Sequence, residues 1–236
     1  MLSLPSTRSN EPREKSSPTL LRPFASNSRT TPTPSRGVRS HSGRPNFVIE
    51  GHAPTSGKTL REIYEARNHD RALRAIEEWV EKRPANAPLT DQDVLDIHAH
   101  VLADIEPKNA GRFRTDRVLI KGTRFIPPGS HGFGEIVPRM LELSNLPGVH
   151  PVLQSAELHS NAVAIHPFTD GNGRTARLLM NYHLLRRGFP HAIIEVEKRA
   201  EYLAALEEAN GGKCERFASF VLQSVGSSIE RLVGEA

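Results

Sequence analysis

His166-Pro167-Phe168-Thr169-Asp170-Gly171-Asn172-Gly173-Arg174-Thr175-Ala176-Arg177 runs directly into Leu178-Leu179-Met180-Asn181-Tyr182-His183-Leu184-Leu185-Arg186-Arg187-Gly188. An imidazole titrates near neutrality and is the usual side chain for taking a proton from a hydroxyl, so His166 reads as a general base. One carboxylate is a poor metal cage but a good anchor for Mg2+, which completes its octahedron with water and phosphate oxygens; Asp170 reads as that anchor. Gly171 and Gly173 lack Cβ, so Gly171-Asn172-Gly173 can turn its amides toward an anion, with Asn172 adding a side-chain donor. From Arg174 the composition is helical and closes at Gly188 as a glycine C-cap. The glycine turn then sits on a helix N-terminus, where free N–H groups and the dipole attract phosphate. Arg174 and Arg177 stand three apart on that helix, so both guanidiniums can reach one anion.

These twelve residues resemble the Fic-domain signature, His-x-Phe-x-Asp/Glu-Gly-Asn-Gly-Arg-x-x-Arg, at every fixed position. The resemblance implies an all-α, Fic-type helical bundle that carries a short β-hairpin flap. It implies transfer of AMP from ATP to a Ser, Thr or Tyr hydroxyl of a target protein, with Mg2+ on Asp170. Gly171, Asn172, Gly173, Arg174 and Arg177 would hold the ATP phosphates. Relatives that transfer phosphate instead typically replace the second glycine, and Gly173 is retained here.

Outward from the signature, the resemblance covers roughly residues 45 to 225. Ala110-Gly111-Arg112-Phe113-Arg114-Thr115 is similar to the segment that precedes the family's flap. Val118-Leu119-Ile120 and Arg124-Phe125-Ile126 flank Lys121-Gly122-Thr123 and stop at Pro127-Pro128, which predicts the hairpin itself. Gly122, Thr123 and Arg124 fall at its tip, beside ATP. The tip is about two residues longer than in the animal relatives, which shifts its register. Tyr202 and Asn210 match positions that contact adenosine, where a ring offers a stacking face and an amide a donor–acceptor edge. On residue type alone, Tyr202 reads more often as core packing and Asn210 as a helix C-cap beside Gly211.

Asn46-Phe47-Val48-Ile49-Glu50-Gly51 resembles the family's inhibitory motif, Ser/Thr-x-x-x-Glu-Gly, with Asn46 in place of the hydroxyl residue. In the family this glutamate pairs with the second signature arginine, here Glu50 with Arg177. A carboxylate in that fork competes with the γ-phosphate and leaves the α-phosphate out of line with an incoming hydroxyl. In some relatives the same glutamate aligns water to remove AMP, so the resemblance allows a second activity.

The 236 residues accommodate one sizeable domain and an extension. Residues 1–45 are rich in Ser, Pro, Thr and Arg, with eight Lys and Arg against two Glu, and read as a disordered basic tail. Residues 46–84 read as the inhibitory motif and an N-terminal helix, and residues 85–236 as the catalytic core. Since the chain is +4 overall, the part after the tail is nearly neutral, which argues against a nucleic-acid surface. No apolar run suggests a membrane span, and a single cysteine, Cys214, suits a reducing compartment. A cytoplasmic location follows, with a transit or effector-secretion signal in the tail as the alternative. Oligomeric state is not legible.

Further helices are expected after the capping box Thr59 to Glu62, from Thr90 through Ile105, from Pro151 into the signature, and over 199–209 and 215–225. Gly51 to Thr59 has one residue too many for a P-loop, and His98, His100, His150 and His159 lack the spacing of a zinc site. Two other functions fit the residues less well. One is a phosphotransferase or a transferase of another nucleotide; the other is a non-catalytic module that binds nucleotide and a partner.

Overall fold

The computed structural model describes residues 59–84, 86–120, 123 and 125–234. The basic segment 1–45, Glu50 with its motif, and Lys121, Gly122 and Arg124 of the flap tip lie outside the described residues. Among the described residues there are seven α-helices: α1 (Leu60–Lys82), α2 (Asp91–Leu102), α3 (Phe133–Leu143), α4 (Pro151–Ile165), α5 (Asn172–Arg186), α6 (Arg199–Asn210) and α7 (Glu215–Gly234). None is long and apolar enough to cross a membrane.

The helix starts follow from local chemistry. Thr59 and Glu62 form the expected capping box on α1, and Thr90 with Asp93 forms a second on α2, each satisfying backbone N–H groups that the first turn leaves without partners. Pro151 occupies the first turn of α4, where its missing N–H costs nothing. The end of α5 is a Schellman motif: Phe189 N–H reaches the Leu184 carbonyl at 3.0 Å and Gly188 N–H reaches Leu185 at 3.0 Å. Gly188 sits at φ 77°, where a side chain would be strained.

The α4–α5 pair is the spine. Helices α1 and α2 pack on α5, α3 packs on α4, and α6 and α7 cover the other side of α4. Eleven of the fifteen residues of α5 are buried, so this helix has no solvent stripe and its polar groups must find internal partners. Asn181 Oδ1 accepts from Ala192 N–H at 2.8 Å. His183 bridges the Ser155 hydroxyl at 2.7 Å and the Ser144 carbonyl at 3.0 Å. Two apolar clusters result. Ile76, Ile97, Val101, Val137, Ile165, Phe168 and Leu179 lie in one; Val152, Met180, Leu184, Leu206, Phe217 and Phe220 lie in the other. Val163 of α4 packs against both, so the two clusters meet in the turn before His166.

Several expected elements differ. No strand forms among the described residues, so the β-hairpin is absent as paired strands on 118–120 and 125–126. Leu119 and Ile126 are largely exposed, and a lone two-stranded ribbon without a buried face is marginal in water. Helix α2 stops at Leu102, and Ile105 joins the core from a turn in which its N–H and that of Glu106 both bond to the Leu102 carbonyl. Helix α7 continues nine residues past 225, with Ser228 still buried. The signature helix begins at Asn172 rather than Arg174, and α3 was not anticipated.

Candidate active site

His166 closes α4 as its C-cap in the left-handed conformation, φ 50° and ψ 57°, the sole non-glycine residue with positive φ among the described residues. Such backbone costs on the order of 1–3 kcal/mol and persists only where its surroundings enforce it. His166 N–H bonds to the Ala162 carbonyl at 3.1 Å. Its Nδ1 lies 3.2 Å from the Val163 carbonyl. A carbonyl only accepts, so Nδ1 carries the proton and Nε2 the lone pair. Burial lowers the His166 pKa. The Val163 carbonyl opposes that, the Arg114 charge lowers it further and Asp170 raises it. The imidazole is neutral at pH 7 and able to accept a proton.

The loop after His166 is built by side chains outside the signature. Arg114 is buried, and its Nε donates to the His166 carbonyl at 2.8 Å while its backbone N–H donates to Pro167 at 2.9 Å. His98 of α2 is fully buried, accepts Gly111 N–H on Nδ1 at 3.1 Å and stands 3.1 Å from the Asp170 carbonyl with Nε2. That pair of partners makes it a neutral Nε2–H tautomer, and burial pushes its pKa down to about 4. Its ring stacks on Phe168 with centroids 3.6 Å apart.

Asp170 and Arg174 face each other across the start of α5. Asp170 Oδ1 accepts Gly171 N–H at 2.6 Å, and Oδ2 accepts from Arg61 of α1 and lies 3.4 Å from Arg174 Nη2. Arg174 Nη2 is also 3.5 Å from Glu65, yet Arg174 Nη1 is buried with no partner. A buried guanidinium N–H without a protein partner, beside a helix N-terminus, can donate to an anion. Gly171 requires its glycine: φ is 73°, and a Cβ would stand 3.0 Å from Val101 Cγ1. Gly173 has ordinary helical backbone. A Cβ there would lie 3.6 Å from Arg177 Nη1, an ordinary van der Waals contact.

Asn172 departs from its expected role as a phosphate donor. Its Oδ1 accepts Phe168 N–H at 2.9 Å and its Nδ2 donates to the Phe168 carbonyl at 2.8 Å, so the buried amide is spent on bracing the loop. Tyr202 likewise offers no open stacking face. The ring is 5% exposed among His159, Phe217 and Phe220, and its hydroxyl is 3.2 Å from His159 Nε2 and beside the Arg177 guanidinium. Asn210 is the last residue of α6, with its buried Oδ1 unpartnered. Thr123, the one described member of the expected tip trio, donates from its hydroxyl to Glu207 of α6 at 3.3 Å and so brings the flap segment over that helix. Arg177 has no carboxylate partner among the described residues.

Among relatives of known structure or curated name, the family model described as Fic/DOC matches residues 88–184. Residues 88–184 carry a Fic/DOC domain. It is 37% identical over 196 residues to the protein adenylyltransferase fic-1 of Caenorhabditis elegans, covering 81% of this chain and 38% of that protein. It is 34% identical to the protein adenylyltransferase Fic of Nematostella vectensis over 78% of this chain and 43% of the relative. A solved segment of C. elegans Fic-1 superposes with a TM-score of 0.69 at 35% identity, covering 78% of this chain and 54% of that one. This chain thus spans less than half the length of these curated relatives.

His98, Arg61 and Arg114 were not anticipated as part of the site. The His98-Ala99-His100 run lacks zinc-site spacing and reads as core or surface histidines, the first of which the fold buries. Arg114 lay within the quoted pre-flap segment. Arg61 carried none.

Proposed function

We propose that this Fic/DOC protein is a protein adenylyltransferase that moves AMP from ATP to a Ser, Thr or Tyr hydroxyl of a target protein. The observation that carries the reading is the proton placement on His166: with Nδ1 spent on Val163, Nε2 is the basic atom left to act. The names of the relatives support it. In the reaction, His166 Nε2 takes the proton of the attacking hydroxyl and the new P–O bond forms at the α-phosphorus. Pyrophosphate leaves with the electrons of the broken P–O bond. Arg174 and the first amides of α5 meet the charge that develops on the α-phosphate, and Arg177 orients the γ-phosphate, so most of the rate comes from positioning and electrostatics.

The donor set suits Mg2+. Asp170 offers one carboxylate at the start of α5, its Oδ2 shared between Arg61 and Arg174. This fits an ion that keeps most of its shell as water and phosphate oxygen. Mg2+ would neutralise phosphate charge, with Asp170 as its protein ligand. Adenosine would lie between the flap segment at Thr123 and the end of α6, where the unpartnered Asn210 Oδ1 can accept from it. Glu50 would occupy the Arg177 fork in the inhibited state.

Retention of Gly173 favours AMP over phosphate transfer. Mass spectrometry of the wild type, His166→Ala and Glu50→Gly incubated with ATP and Mg2+ tests both assignments. The expected result is an AMP adduct that increases in Glu50→Gly and vanishes in His166→Ala. A phosphate adduct, or an AMP adduct that survives His166→Ala, would overturn the mechanism; equal labelling of wild type and Glu50→Gly would remove the inhibitory role.

A further inference from the structure

Arg114 is an unusual arginine. It is 3% exposed, and no carboxylate among the described residues pairs with it. Its three guanidinium nitrogens donate to three carbonyls from separate stretches of chain: Nε to His166 at 2.8 Å, Nη1 to Asp116 at 2.6 Å and Nη2 to Pro128 at 2.7 Å. Asp116 and Pro128 are the two ends of the flap segment. The guanidinium also lies 4.8 Å from the centroid of the Phe133 ring, which gives the buried cation an aromatic face in place of a counter-ion. Keeping a charge buried on neutral acceptors is costly, and only the planar five-donor fork of arginine can serve three directions at once. What the arrangement accomplishes is visible at His166: this strained residue is held from behind by Val163 and Ala162, and from ahead by Arg114 through the His166 and Pro167 carbonyls.

We propose that Arg114 is a positioning residue that locks His166 in its left-handed pose and ties that pose to both ends of the flap. The inference rests on His166 being the base of the proposed reaction. Target docking on the flap and orientation of the base then share one guanidinium, so displacing either end of the flap loosens the His166 carbonyl. The charge has a second effect. The groups that act on the His166 imidazole are the Val163 carbonyl from α4, Arg114, and Asp170 from the loop; of these Arg114 alone lowers the pKa, in the same direction as burial.

Two variants separate the geometric from the electrostatic part. Arg114→Lys keeps the charge and loses the fork, whereas Arg114→Gln loses both. Imidazole resonances of His166, titrated by NMR in the full chain without nucleotide, should move to a higher pKa in Arg114→Gln and stay near wild type in Arg114→Lys. Both variants should lose at least about tenfold in the rate of AMP transfer at saturating ATP, as expected for a displaced base, with ATP affinity unchanged. An unmoved His166 titration in Arg114→Gln, a wild-type rate in Arg114→Lys, or a loss of ATP affinity as large as the loss of rate would each overturn the proposal. If Arg114→Gln does not fold, the rate and affinity of Arg114→Lys decide it. If the wild type transfers nothing, adenylyl transfer is the reading that fails, and the His166 titration alone decides Arg114.

Discussion

At Tyr202 the ring and the hydroxyl have different partners. The ring fills a slot among Phe217, Phe220 and His159, while the hydroxyl meets His159 Nε2 and the Arg177 guanidinium. Burial raises the Tyr202 pKa and Arg177 counters it, so the group stays a neutral phenol able to accept from the arginine and donate to the histidine. Tyr202→Phe retains the ring and removes that link, leaving a buried histidine nitrogen unpaired at a cost of about 1–3 kcal/mol in denaturant unfolding. Because Arg177 is the proposed γ-phosphate ligand, the same change should weaken ATP binding more than AMP binding in calorimetric titrations. Wild-type affinities for both nucleotides would mean that the hydroxyl link does not position Arg177.

Among the elements, α2 joins the site through one side chain. His98 holds the Gly111 amide and the Asp170 carbonyl and stacks on Phe168, so α2, the pre-flap turn and the loop before α5 form one unit. His98→Gln can still donate toward Asp170, whereas His98→Phe keeps only the stack and strands two buried backbone groups. Thermal unfolding should rank wild type above His98→Gln and His98→Phe lowest, the last losing about 1–3 kcal/mol or more; a Phe variant as stable as wild type would mean the bridge contributes nothing. This tertiary role was illegible because it depends on which residues a helix meets 13 and 72 positions away. Local signals fared better: Thr59, Thr90, Pro151 and Gly188 mark ends that backbone chemistry alone determines. Helix α3 is hard to read in sequence because Pro138 stands inside it, although Phe133, Val137, Met140 and Leu141 keep a helical apolar spacing. The bracing role of Asn172 is not legible in sequence because its type suits a phosphate donor and a loop brace equally, and its two bonds to Phe168 appear only in the fold.

Across the whole molecule, the polar groups packed inside set the response to acid. His98, His159 and His183 are buried, with burial as the leading cause that pushes their pKa values down to about 4, 3 and 4. A histidine depressed in the folded state binds its proton more readily unfolded, so each makes the protein less stable as pH falls from about 6.5 toward its folded value. Lowered values at His69 and His166 add in the same direction. Glu157, beside the apolar cavity between α4 and α7, opposes them: burial raises its pKa to about 7, so the folded state holds a proton that the unfolded state has released above about 4.5. Between about pH 4.5 and 6 the unfolded chain therefore binds three protons at His98, His159 and His183 that the native state does not, against one held natively by Glu157. The net uptake on unfolding is at least about two protons, and stability should rise with pH across that window. Urea unfolding at a series of pH values measures the slope directly. Glu157→Gln, which stays neutral, should steepen it by about one proton, and His183→Gln should flatten it by about one. A flat profile through this window would mean that these histidines become hydrated in the native state and that the α4–α5 spine is less closed than their burial implies.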